Sequence, residues 1–87
     1  MNAYQNTLNK VIKIREDRQK LYGDDWIYDP IEYDFWMLYG KFNRLQYLLK
    51  HKLNDKSQYE KIDDTLIDMI NYSIFLLYKI NKKGDKL

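Results

Sequence analysis

Apolar residues recur every three or four positions through most of this chain, the spacing that lines one face of an α-helix. From Asn2 to about Leu21, Tyr4, Leu8, Val11, Ile12 and Ile14 mark a half-buried first helix. It ends in the polar run Arg15 to Lys20, a solvated or ligand-facing stretch. Tyr22 to Pro30 breaks the pattern, because Gly23 permits a left-handed residue and Pro30 keeps Asp29 out of a helix. A second helix, residues 30–52, follows with Asp29 as its N-cap and Pro30 in its first turn. Its seam is Ile31, Phe35, Leu38, Phe42, Leu45 and Leu49. Gly40 interrupts it, and a mid-helix glycine, which costs ~1 kcal/mol relative to alanine, marks a close approach of backbone or ligand.

Leu53 to Lys56 reads as a short polar link, and Ser57 with Glu60 as the capping box of a third helix, residues 58–83. Lys79, Lys82 and Lys83 suit its C-terminal dipole, and Gly84 its stop. So short a link makes helices two and three antiparallel neighbours. On helix three Leu66, Met69, Ile70, Ser73, Leu76, Leu77 and Ile80 form the expected core side, while Ile67, Ile74 and Phe75 carry apolar surface beyond it. The expected fold is all-α: one small three-helix domain over residues 1–87 with a long antiparallel helical hairpin, completed by homodimerisation.

Composition narrows the function. At 87 residues the core is modest, which is why a second subunit is expected to finish it. The absence of cysteine excludes disulfides, zinc-thiolate sites and a thiol nucleophile, and suits a cytoplasmic setting. A net charge of +2, with 15 basic residues scattered among 13 acidic ones, argues against a nucleic-acid partner. The N-terminal residues lack the pattern of a signal peptide, and the longest apolar run, around Met69 to Ile80, is short of the ~20 residues a membrane span needs.

The candidate chemistry lies in charges that interrupt helix three. Asp64, Asp68 and Asn71 are spaced i, i+4, i+7 and share one stripe. Counting back from the turn sets Asn43 against Asp68 and Tyr47 against Asp64, so Lys41 and Arg44 stand level with the acids. Two readings are open: an ion-pair network that fixes hairpin register, or a site where Lys41 and Arg44 take a phosphate. In the second, Asp64 and Asp68 hold Mg²⁺ or orient the cations. Beside them Asp24, Asp25, Trp26 and Tyr28 gather acids and aromatics in the irregular loop, where a ring stacks on a base and an acid reaches a ribose hydroxyl, or where the rings merely plug the bundle. Asn71 is a further candidate base or ribose contact.

Three blocks, Tyr22-Gly-Asp-Asp-Trp26, Gly40-Lys-Phe-Asn-Arg-Leu45 and above all Asp64-Thr-Leu-Ile-Asp-Met-Ile-Asn-Tyr72, resemble the nucleotide modification associated domain 1 proteins, common in phages. More distantly they resemble the all-α NTP pyrophosphohydrolases of the MazG and dimeric dUTPase kind. The resemblance implies a dimeric helical bundle that handles nucleotides. It casts Asp64 and Asp68 as the second of two acidic pairs that hold Mg²⁺ in those enzymes. At the place of the first pair this chain carries Lys41 and Arg44, which cannot ligate a cation, so binding of a phosphorylated nucleotide is expected rather than hydrolysis. The alternatives are a non-catalytic interaction or sequestering protein, for example a phage inhibitor of a host defence protein, and an active Mg²⁺-dependent pyrophosphohydrolase.

Overall fold

A computed structural model describes residues 2–51 and 56–84. Three helices, α1 (Ala3–Tyr22), α2 (Ile31–Lys50) and α3 (Lys56–Gly84), account for most of them, with a 3-10 turn at Asp25–Tyr28 between the first two. No strand occurs among the described residues, and no helix there is long and apolar enough to cross a membrane. The link expected at Leu53–Lys56 falls largely outside the described residues.

Local chemistry sets the helix ends. Extended Asn2 accepts the backbone N–H of Gln5 at 2.8 Å and starts α1. At the other end Gly23, at φ 66°, lets its N–H return to the carbonyl of Gln19 at 2.9 Å. The start of α2 differs from expectation by one residue. Pro30, with ψ 157°, is the N-cap itself, and no side chain caps the helix, so Asp29 does not play that part. Ser57 likewise lies inside α3, which begins at Lys56, and is not its N-cap.

The hairpin is antiparallel: early on α2, Asp34 meets Lys79 late on α3, and further on Lys41 meets Asp68. Its interior is unusually polar. Among the described residues the buried apolar side chains are Leu48, Ile67 and Phe75, against Asp34, Thr65, Asn71 and Lys79 as buried polar ones. Thr65 is satisfied by the Lys61 carbonyl at 2.7 Å. The expected core assignments are corrected on both helices. Phe35, Phe42 and Leu49 of the α2 seam are exposed, as are Leu66, Ile70, Leu77 and Ile80 of α3. Ile67 and Phe75, expected outside the core, are in it, because the stripe that meets α1 and α2 is the one carrying the polar residues.

Gly40 marks no close approach: a β-carbon there meets nothing within 4 Å. Gly40→Ala is therefore expected to stabilise the fold by ~0.5–1 kcal/mol, read as a higher urea midpoint. A lower midpoint would mean that something does press on that backbone.

Candidate functional site

Where the C-terminal half of α1 and the 3-10 turn face the middle of α3, they leave a cleft of about 500 Å³. Arg15 and Arg18 border it from α1, Asp25 and Trp26 from the turn, and Asp68, Asn71, Tyr72 and Phe75 from α3.

Asp68 is the junction of all three helices. One carboxylate oxygen accepts from Arg18 of α1 at 2.9 Å, and the other faces the Lys41 ammonium of α2 at 3.1 Å. Both partners are partly shielded, which raises the worth of such pairs above that of a fully solvated bridge. The guanidinium of Arg15 lies 4.9 Å from the centre of the Phe75 ring and donates to Gln19 Oε1 at 3.2 Å. Burial lowers the pKa of Arg15, and the neighbouring Arg18 charge lowers it further. Two like charges thus crowd one rim of the cleft.

The turn is tied to α1 through Gln19. Its amide oxygen also accepts from Trp26 Nε1 at 3.2 Å, and its amide nitrogen donates to Asp24. These bonds orient the indole, which stacks on Phe75 with centroids 4.4 Å apart and planes 14° apart, while Tyr78 meets it edge-on at 5.4 Å. Tyr72 closes edge-on against the same Phe75 ring at 5.9 Å. Burial raises the Tyr72 pKa, and nearby Tyr33, Asp68 and Asp34 raise it further, so its hydroxyl stays neutral.

Asn71 is the anomaly. It is 2% exposed, and neither its carboxamide nitrogen nor its oxygen has a hydrogen-bond partner. Leaving such groups unpaired costs about 1–3 kcal/mol each, so a buried carboxamide beside a cleft calls for a partner.

The structure brings together Asp25, Trp26, Asp68 and Asn71 at the cleft, with Lys41 one step behind on Asp68. It separates the rest. Arg44 and Asp64 are exposed, and neither makes an ion pair among the described residues. Asp24 serves Gln19, and Tyr28 is 85% exposed outside the cleft. The expected four-charge cluster is thus replaced by Arg18, Lys41 and Asp68. Nor does the donor set fit a Mg²⁺ shared by Asp64 and Asp68, since each Asp68 oxygen already faces a cation. Among the described residues no group of three or more His, Asp or Glu is placed to hold a metal ion.

Sequence reasoning missed Arg15, Arg18, Gln19 and Phe75. Two signals were present: arginines three apart on one face of α1, and Phe75 continuing the Asp64, Asp68, Asn71 stripe by one more turn.

In comparison with known proteins, the family model described as nucleotide modification associated domain 1 matches residues 18–80, a span that includes every cleft residue named above except Arg15. No curated protein and no solved structure gives a significant match.

Proposed function

Because the chain belongs to the nucleotide modification associated domain 1 family, we propose that its cleft binds a phosphorylated nucleotide, as a homodimer working in phage or bacterial nucleotide metabolism. One observation carries the reading: the partnerless carboxamide of Asn71 borders the same cleft as an aromatic stack and two crowded guanidinium groups. A phosphate relieves the repulsion between Arg15 and Arg18 and takes the donors that Arg18 does not spend on Asp68. A base supplies what Asn71 lacks, since the Watson–Crick edge of every nucleobase offers a donor and an acceptor side by side, and it lies against the Trp26 side of the stack. Lys41 neutralises Asp68 from behind, so the acid orients Arg18 without repelling the phosphate.

Binding without hydrolysis is the favoured form, because the engagement of both Asp68 oxygens leaves that acid unsuited to hold Mg²⁺ against the ligand.

Thermal melting with nucleoside mono-, di- and triphosphates, each with and without Mg²⁺, tests the proposal. A ligand at a hundredfold its Kd stabilises by about 2.7 kcal/mol, which for a domain of this size is on the order of 10–20 °C. Arg18→Gln is expected to weaken binding about 10- to 100-fold, the worth of a charge-assisted hydrogen bond. A flat response to every nucleotide would remove the proposal. Equal stabilisation by inorganic phosphate would keep the anion site and remove the base.

A further inference from the structure

Asn71 supplies one part of a base-reading edge, and the turn beside it supplies another. Phe75 follows Asn71 by one turn of α3, a rise of about 6 Å, and the Trp26 indole is stacked on Phe75. Asp25 directly precedes Trp26 and borders the same cleft as Asn71. Its neighbours on both sides are fixed: Asp24 accepts from the Gln19 amide, and Trp26 donates to the same side chain at 3.2 Å. The Ile27 N–H returns to the Asp24 carbonyl at 2.9 Å and closes the turn around Asp25. The backbone that carries this acid is thus pinned against α3 one turn from the buried carboxamide.

Asp25 is also unspent. Two guanidinium groups border the cleft, yet among the described residues Asp25 pairs with neither. Arg18 is turned to Asp68, and Arg15 to Phe75 and Gln19. Asp25 is exposed, so water serves it until a ligand covers it. Such a ligand must bring a donor, because a carboxylate only accepts and is costly to bury unpaired.

The bases differ in what they bring. A carboxamide offers one donor and one acceptor side by side, and the Asp25 carboxylate adds a second acceptor. The edge that matches is an acceptor followed by two donors. Guanine has it in O6, N1–H and the 2-amino group. Adenine with its amino group and N1 on Asn71 sets only a C–H against the acid. Cytosine and uracil set a carbonyl oxygen there, which the carboxylate repels. We infer that the nucleotide this cleft selects carries guanine, with Asn71 on O6 and N1–H and Asp25 on the 2-amino group. The inference rests on the nucleotide reading above and adds the base to it. One ligand then answers the crowded positive charge of Arg15 and Arg18 with phosphate and the spare negative charge of Asp25 with an amino group.

The test is calorimetric titration of the full chain with GMP, IMP, AMP, CMP and UMP, and with the corresponding triphosphates. GMP and IMP differ only in the 2-amino group. GMP is expected to bind about 10- to 100-fold more tightly than IMP, the worth of a hydrogen bond to a charged acceptor. Asp25→Ala, on an exposed turn, is expected to keep the helical circular dichroism of the chain, to bring GMP down to the affinity of IMP and to leave IMP nearly unchanged. Asp25→Asn, which keeps the shape without the charge, is expected to lose part of the preference. A different base bound as tightly as GMP overturns the inference and leaves the nucleotide reading standing. So does an Asp25→Ala chain that keeps the GMP preference, or one that weakens every nucleotide equally, which would set the acid on ribose. Silence toward all of them removes the nucleotide reading, and the inference with it.

Discussion

Lys79→Met is expected to lower the stability of the chain by about 3–5 kcal/mol, the cost of breaking a buried ion pair from one side. Lys79 donates to one oxygen of Asp34, and the two side chains are 8% and 1% exposed. The other Asp34 oxygen already has no partner, so the substitution leaves a carboxylate with no hydrogen bond in a place water does not reach. The position of Asp34 in the first turn of α2, at the positive end of the helix dipole, eases its charge in part. A domain of this length has about 4–13 kcal/mol in total, so the loss takes much of it and lowers Tm by on the order of 12 °C or more. Lys82→Met, on the exposed side of the same turn, is expected to change Tm little. The double variant Asp34→Leu, Lys79→Met removes both charges together and is expected to recover most of the loss, since a well-packed apolar pair often equals a buried bridge. Circular dichroism melts of the three variants decide it. If Lys79→Met melts within a degree or two of the unsubstituted chain, the pair is not shielded from solvent as described.

That pair also shows what the sequence made legible. Three helices and an antiparallel hairpin followed from apolar spacing and from the punctuation at Gly23 and Pro30. Even the register was close: Lys41, rather than the neighbouring Asn43, stands opposite Asp68. What periodicity conceals is which apolar stripe a single chain can bury. The α2 seam and the outer stripe of α3 look like core because they have the spacing of core, and spacing carries no mark that separates a stripe the chain buries from one it leaves exposed. Asp68 and Asn71 looked like an interruption and Lys79 like a helix-end charge, yet all three lie on the side that meets the rest of the chain. α1 was harder still. Its apolar residues Tyr4, Leu8 and Ile12 are exposed, and it is anchored through Lys10 to Asp63, Arg18 to Asp68 and Arg15 over Phe75. A run such as Arg15 to Lys20 resembles any solvated helix end until its partners are placed in space.

Phe75 is where stability and the cleft converge, and Phe75→Ala is expected to cost about 3–5 kcal/mol. Its ring is buried, with the Trp26 indole stacked on it, the Tyr72 edge against it and the Arg15 guanidinium over it. Each aromatic pair adds about 0.5–1.5 kcal/mol beyond area, and the cation adds about 0.5–2 kcal/mol. Removing the ring therefore strips the bed from Trp26 and the seat from one of the two arginines at once. Trp26 reports this directly once Trp36→Phe leaves it as the sole indole. Its emission is expected to move to longer wavelength in Phe75→Ala, as a stacked ring becomes wet. Phe75→Leu separates packing from stacking, because it restores much of the volume but no aromatic face. If the site is assembled on the stack, Phe75→Leu should regain most of the melting temperature and little of the response to nucleotides. If it regains both, Arg18 and Asn71 hold the ligand without help from the ring, and the rim of the cleft, rather than its floor, is what recognises it.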